Sequence, residues 1–232
     1  RQAGGPPPRT IGPMGTLYLV RHGQASFGAA DYDQLSDLGT RQCLRLGEYF
    51  RSRGKRFQAV LRGSLRRHDQ SLAALLQGLG DAPAASVFPA LNEYDSAAVV
   101  RAVHPEPLPQ SRTPEAYRHH FRILRQGLSA WMDGTTAPEG MPAYADFVAG
   151  ITQVLDQVRA THDGDVLMVS SGGPISTAVG QVLDMPPVGT IELNMRIRNS
   201  AVTEFSVNPK RHVLHSFNTL PHLDSDEHAS WV

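Results

Sequence analysis

Apolar residues follow two different periods along the chain. The nearly unbroken runs TLYLV at 16–20 and DVLMVS at 165–170 predict strands covered on both faces, and FQAVLRG at 57–63 predicts another. Between them, apolar positions recur every three to four residues, as on one face of a helix. One helix is predicted from Asp37, capped by Ser36, toward Gly54, and a second over 67–79 with Leu72, Leu75, Leu76 and Leu79 aligned. VFPALNEY at 87–94 is read as holding a shorter strand. Thr113, Pro114 and Glu115 combine a capping hydroxyl, a first-turn proline and an acid near the positive end, so a helix starts there. Its core stripe is Tyr117, Phe121, Leu124, Leu128 and Trp131. A further helix carries Phe147, Val148, Ile151, Val154, Leu155 and Val158, with Gly164 in its C-terminal turn. Gly172, Gly173 and Pro174 lead out of DVLMVS into a helix bearing Ile175, Ala178, Val179 and Val182, and AVTEFSV and HVLHSF form a late hairpin. Strands alternating with helices predict an α/β fold, a three-layer sandwich whose mostly parallel sheet has helices on both faces. The proline-rich stretch 101–115 is read as an excursion over the surface or over a site.

Composition narrows the possibilities. With 232 residues, 41% of them hydrophobic, the chain can build one sizeable core, and one domain is expected over 15–232. Residues 1–14, rich in Gly and Pro, read as a disordered extension or an expression remnant, with Met14 the natural start. Basic and acidic residues balance at 22 each, which argues against nucleic acid or an acidic membrane as partner. No run suits a spanning helix and the opening lacks the apolar centre of a signal peptide, so a cytoplasmic location is expected. The single cysteine, Cys43, lies on an apolar helical stripe and is read as core. No spacing argues a metal site; His119 and His120 are neighbours on a helix and point about 100° apart.

In open α/β sheets ligands sit at the carboxyl ends of strands, where both Arg21-His22-Gly23 and Ser170 to Gly173 emerge. Arg21 asks for an anion, and a neighbouring cation lowers the pKa of His22, keeping the imidazole neutral and nucleophilic toward phosphorus. Gly23 permits close backbone approach. Free amides at the start of the Gly172 helix favour an anion too. The tripeptide alone leaves a structural histidine beside a surface arginine as an alternative. Arg66 and Arg67 at a helix start are unfavourably placed unless an anion is shared there, and Glu93 near bound phosphate would hold its proton and act as general acid. VSSGG lacks the Gly-x-Ser-x-Gly elbow of a serine hydrolase.

Taken together, LVRHGQAS, LSDLG, SLRR, LNE and VSSGGPI resemble, in that order, the motifs of the histidine phosphatase, or phosphoglycerate mutase-like, superfamily. The resemblance runs from Gly15 to Leu223. It implies a phosphohistidine intermediate on His22, a phosphate clamp of Arg21 and Arg67 with Arg66 as the alternative, and Glu93 as proton donor. Gly23, Ser171 and Gly172 complete the phosphate site. It also implies no cofactor, and as partner a small phosphorylated substrate or inorganic phosphate. Three positions depart from the pattern: Ser171 stands where a second histidine is expected, Gly28 where many members carry asparagine, and Gly63 where they carry serine. Losing one preorganised donor costs about 2.7–4 kcal/mol of barrier, so activity is expected to be impaired or retuned. His68 is a candidate to fill the gap, ahead of His215 and His222. The resulting expectation is a phosphatase for a small phosphomonoester; a nearly inactive binder of phosphorylated ligands or proteins is the alternative, with a phosphoglycerate mutase behind it. The sequence carries no information on oligomeric state.

Overall fold

A computed structural model describes residues 15–26, 33–108, 113–224 and 229–231. Residues 1–14, Gly28 and part of the proline-rich stretch therefore lie outside the described residues. Six strands form one sheet: β1 (Gly15–Arg21), β2 (Ala59–Arg62), β3 (Ala85–Val87), β4 (Val166–Ser170), β5 (Val202–Asn208) and β6 (Arg211–Thr219), in the order β3-β2-β4-β1-β5-β6. The first four in that order run parallel, and β5 and β6 complete the sheet antiparallel. Alternation along β1 divides its side chains between two cores. Leu17 and Leu19 join Met168, Phe205 and the helices α5 (Tyr144–Thr161) and α6 (Gly172–Val182) on one face. Tyr18 and Val20 join α1 (Asp37–Ser52) and α2 (Arg66–Leu79) on the other. The three-layer sandwich follows from this period-two pattern meeting helical stripes.

Cys43 sits fully inside the second core, where burial pushes its thiol up to about 11. Ser36 caps α1 by accepting the Gly39 amide, and Thr113 caps α4 (Pro114–Met132) by accepting that of Ala116. Leu124, Leu128 and Trp131 of α4 build a third apolar cluster with α3 (Ser96–Val103) and α7 (Pro187–Asn194). The sequence reading missed α3 and α7, short helices of about two turns that show little periodicity. Two placements also need correction. VFPALNEY is no strand beyond Val87: Pro89 removes a ladder donor and starts a single 3-10 turn, Pro89–Leu91. Helix α5 ends at Thr161 with His162 as its C-cap, so Gly164 is not its terminal residue and packs instead against Gln58.

Candidate active site

The parallel pairing of β1 with β4 sets Arg21 opposite Ser170, so the chain leaves the sheet with His22 and Ser171 side by side. The His22 amide donates to Ser170 O at 2.9 Å. On the other side of β4, β2 ends at Arg62, and the Gly63 amide donates to Val169 O. Three neighbouring strand ends thus deliver His22, Ser171 and the segment that opens α2, while the turn after β3 brings in Glu93.

His22 is 3% exposed, and its Nδ1 lies 2.7 Å from the Gly23 carbonyl. A carbonyl only accepts, so Nδ1 carries the proton and Nε2 keeps its lone pair. Burial holds its pKa well below the usual histidine value, and Arg21, Arg67 and His68 lower it further. The neighbouring cation invoked from sequence contributes, but desolvation is the larger cause. Gly23 serves this arrangement internally. Its amide donates to Ser71 Oγ, and a Cβ on it would fall 2.4 Å from the Gly39 carbonyl, so the close approach is to α1.

Arg67 is buried and Arg66 exposed. Asp33, which sequence reasoning did not single out, answers the cations at this helix start. Its carboxylate accepts from the Arg66 and Arg67 amides and pairs with Arg67 Nη1 at 2.9 Å. The signal available was the unfavourable Arg66-Arg67 pair itself, which demanded an acid from elsewhere in the chain. Arg21 Nη1 donates to Ile197 O at 2.6 Å and to Trp231 O at 3.0 Å. Glu93 accepts the Gly173 amide at 3.0 Å, and a Cβ on Gly173 would lie 2.2 Å from Glu93 Oε1, so only glycine leaves the carboxylate its place. Burial raises the Glu93 pKa, against the pull of Gly173, Arg67 and Arg21, which moves the carboxyl toward its protonated form.

Ser171 precedes α6 without capping it; its Oγ lies 2.7 Å from His68 Nε2. His68 is fully buried, 5.8 Å ring to ring from His22, with its pKa lowered to about 3 by burial and by Arg67. The candidate to fill the gap thus lies inside the protein, against Ser171. Gly172 belongs to the same corner, and a Cβ on it would crowd Asn194 and Ile197. His222 is buried but bonds Ser200 Oγ, and His215 is exposed on β6. His119 accepts from Arg122 within α4. Among the described residues no three His, Cys, Asp or Glu side chains gather as a metal site, and no helix is long and apolar enough to cross a membrane.

These buried histidines make stability depend on pH with a definite sign. His22, His68 and His222 have folded pKa values below the unfolded 6.5, so each takes its proton only on unfolding as pH falls below that value. Each then removes about 1.4 kcal/mol of stability per pH unit. Glu93 acts oppositely above 4.5, since the folded chain keeps a proton the unfolded chain has lost, and one carboxyl does not outweigh three imidazoles. The urea midpoint is therefore expected to be lower at about pH 5.5 than at about pH 7.5. His68→Phe should flatten part of that fall, and a midpoint independent of pH would contradict the burial of these rings as neutral species.

Several solved structures share this architecture. A phosphoserine phosphatase variant from Entamoeba histolytica, in complex with phosphoserine, is 20% identical with a TM-score of 0.64, over 90% of this chain and 100% of that one. The mycobacterial glucosyl-3-phosphoglycerate phosphatase is 20% identical with a TM-score of 0.60, over 88% and 98%. Phosphoglycerate mutase from Bacillus anthracis is 15% identical with a TM-score of 0.62, over 91% and 96%. A search of the curated proteins found no match. The family model of the histidine phosphatase superfamily, branch 1, matches residues 17–220, and the chain belongs to that superfamily.

Proposed function

We propose that the protein is a phosphatase that hydrolyses a small phosphomonoester through a phosphohistidine on His22. The observation that carries this reading is the state of His22: buried, neutral, with Nδ1 committed to the Gly23 carbonyl so that Nε2 keeps its lone pair. In the first step Nε2 attacks phosphorus, the P–O bond to the leaving group breaks, and Glu93 gives its proton to the departing oxygen. The ring then carries positive charge, which the Nδ1–H bond to Gly23 stabilises. In the second step water attacks the phosphohistidine, Glu93 takes back a proton, and the N–P bond breaks to release inorganic phosphate. Arg21 and Arg67 hold the phosphoryl oxygens, with Ser171 and the start of α6 beside them. Arg21, His22 and Ser171 stand at strand ends and Arg67 on the first turn of a helix, so they are positioned before the substrate arrives.

The Entamoeba relative with phosphoserine and the mycobacterial enzyme, named for a sugar phosphoglycerate, favour a small phosphorylated metabolite as substrate here too. A second reading, a binder of phosphorylated ligands with little turnover, is favoured by one contact. Two backbone carbonyls already take Arg21 Nη1, so that nitrogen is held by the chain instead of by phosphate. Hydrolysis of a generic aryl phosphate without added metal separates the two. The phosphatase releases phenol catalytically, whereas the binder gains thermal stability from inorganic phosphate without turnover.

A further inference from the structure

Ser171 and His68 form a buried pair, and the steps above leave His68 without a task. Their two side chains carry two protons between them, one on oxygen and one on the imidazole. Among the described residues they make one hydrogen bond, to each other, and His68 Nδ1 has no partner. One donor of the pair is therefore unsatisfied in either tautomer. If Nδ1 carries the proton, an N–H is stranded against Gly63, and stranded N–H groups are among the rarest features of protein interiors. If Nε2 carries it, the imidazole donates to Ser171 Oγ and the serine hydroxyl hydrogen is left to turn outward. An acceptor placed beside His22 would then satisfy it, and a phosphoryl oxygen is one.

The space for this imidazole is specific. A Cβ at position 63 would sit 2.2 Å from His68 Nδ1 and 2.6 Å from Asn92 Oδ1, so any residue larger than glycine displaces the ring. Gly63 and Ser171, two departures from the family pattern, thus meet at one side chain. The small residue at 63 admits the ring and the short one at 171 leaves room for it.

We infer that His68 is a positioning residue of this site: donating Nε2–H to Ser171 Oγ, it aims the serine hydroxyl at the phosphoryl group, and Gly63 is the opening that admits it. This rests on the phosphatase reading only for its effect on rate, since the same hydroxyl would also hold a bound phosphate. The pair supplies a neutral donor, its imidazole staying uncharged through the working pH range.

The test is a double-mutant cycle on Ser171→Ala and His68→Phe, read both as kcat and KM on an aryl phosphate and as Kd for inorganic phosphate. His68→Phe keeps the ring volume and removes its nitrogens. It should cost about 10- to 100-fold in kcat/KM, the range seen when partners orienting metal ligands are lost. Adding it to Ser171→Ala should cost nothing more. His68→Gln, which restores an N–H donor, should recover most of the loss, and Gly63→Ala should reproduce it. Thermal melts identify any variant that fails to fold, and the Gln variant then carries the test. Additive losses, or no loss from His68→Phe, overturn the inference. Coupling in phosphate binding without turnover in the native chain supports it and overturns the phosphatase reading alone. A native chain that neither turns over nor binds phosphate overturns both.

Discussion

Replacing His22 by alanine should lower aryl phosphate hydrolysis by about 10⁴-fold or more, the scale at which loss of an enzyme's nucleophile is felt. Arginines, a proton donor and helix amides remain, yet none of them can form the covalent bond that divides the reaction into two steps. The fold should survive. The imidazole is small, neutral and bonded through Nδ1 to one carbonyl, so its removal strands that acceptor at a cost of about 1–3 kcal/mol. Phosphate binding should largely survive too, because Arg21 and Arg67 carry the charge. A His22→Ala variant that is folded, binds phosphate and keeps more than about a tenth of the native rate would mean that His22 is structural.

Glu93→Gln should act through the leaving group. Glutamine keeps an oxygen to accept the Gly173 amide, so the side chain can stay where it is, but it has no acidic proton to give. An alkyl phosphate, whose departing oxygen is strongly basic, should lose about 10²- to 10⁴-fold, the usual worth of a positioned general acid. Read as kcat/KM, which stops at phosphoryl transfer to His22, a nitrophenyl phosphate, whose leaving group departs as a stable anion, should lose about tenfold or less. Equal losses on the two substrates would place Glu93 in binding or structure rather than in proton transfer. The same variant bears on the second step, because water must surrender a proton to the deprotonated carboxylate.

How far the sequence led depends on the kind of information each feature carries. The strands β1 and β4 were legible because they are buried on both faces and therefore apolar without interruption. Helices α1, α4 and α5 were legible from stripes, with the caps Ser36 and Thr113 marking two of their starts. Helices α3 and α7 were not, being too short for a period to declare itself, and Pro89 stops the expected third strand at Val87 and opens a 3-10 turn. At the site, Arg21, His22, Glu93 and Ser171 converge because each follows a strand or the turn beyond one, a rule of fold class that sequence order exposes. Asp33 and the inward path of His68 are long-range facts. Asp33 comes from a loop 34 residues before Arg67, and His68 reaches Ser171 across 103 residues of chain, so no local pattern encodes either contact. The correction has a practical side. Ser171→His would restore the histidine the family pattern expects, but His68 Nε2 already lies 2.7 Å from Ser171 Oγ, so that substitution overpacks the corner unless His68 is removed with it.

The central claim, a covalent phosphoryl group on His22, is tested most directly by quenching the native chain during turnover of an aryl phosphate and measuring its intact mass and phosphopeptides. The account predicts one added phosphoryl group, on the peptide containing His22, labile to acid, stable to alkali and absent from His22→Ala. Steady turnover with no phosphoprotein at any quench time, or a phosphoryl group on another residue that persists in His22→Ala, would contradict it.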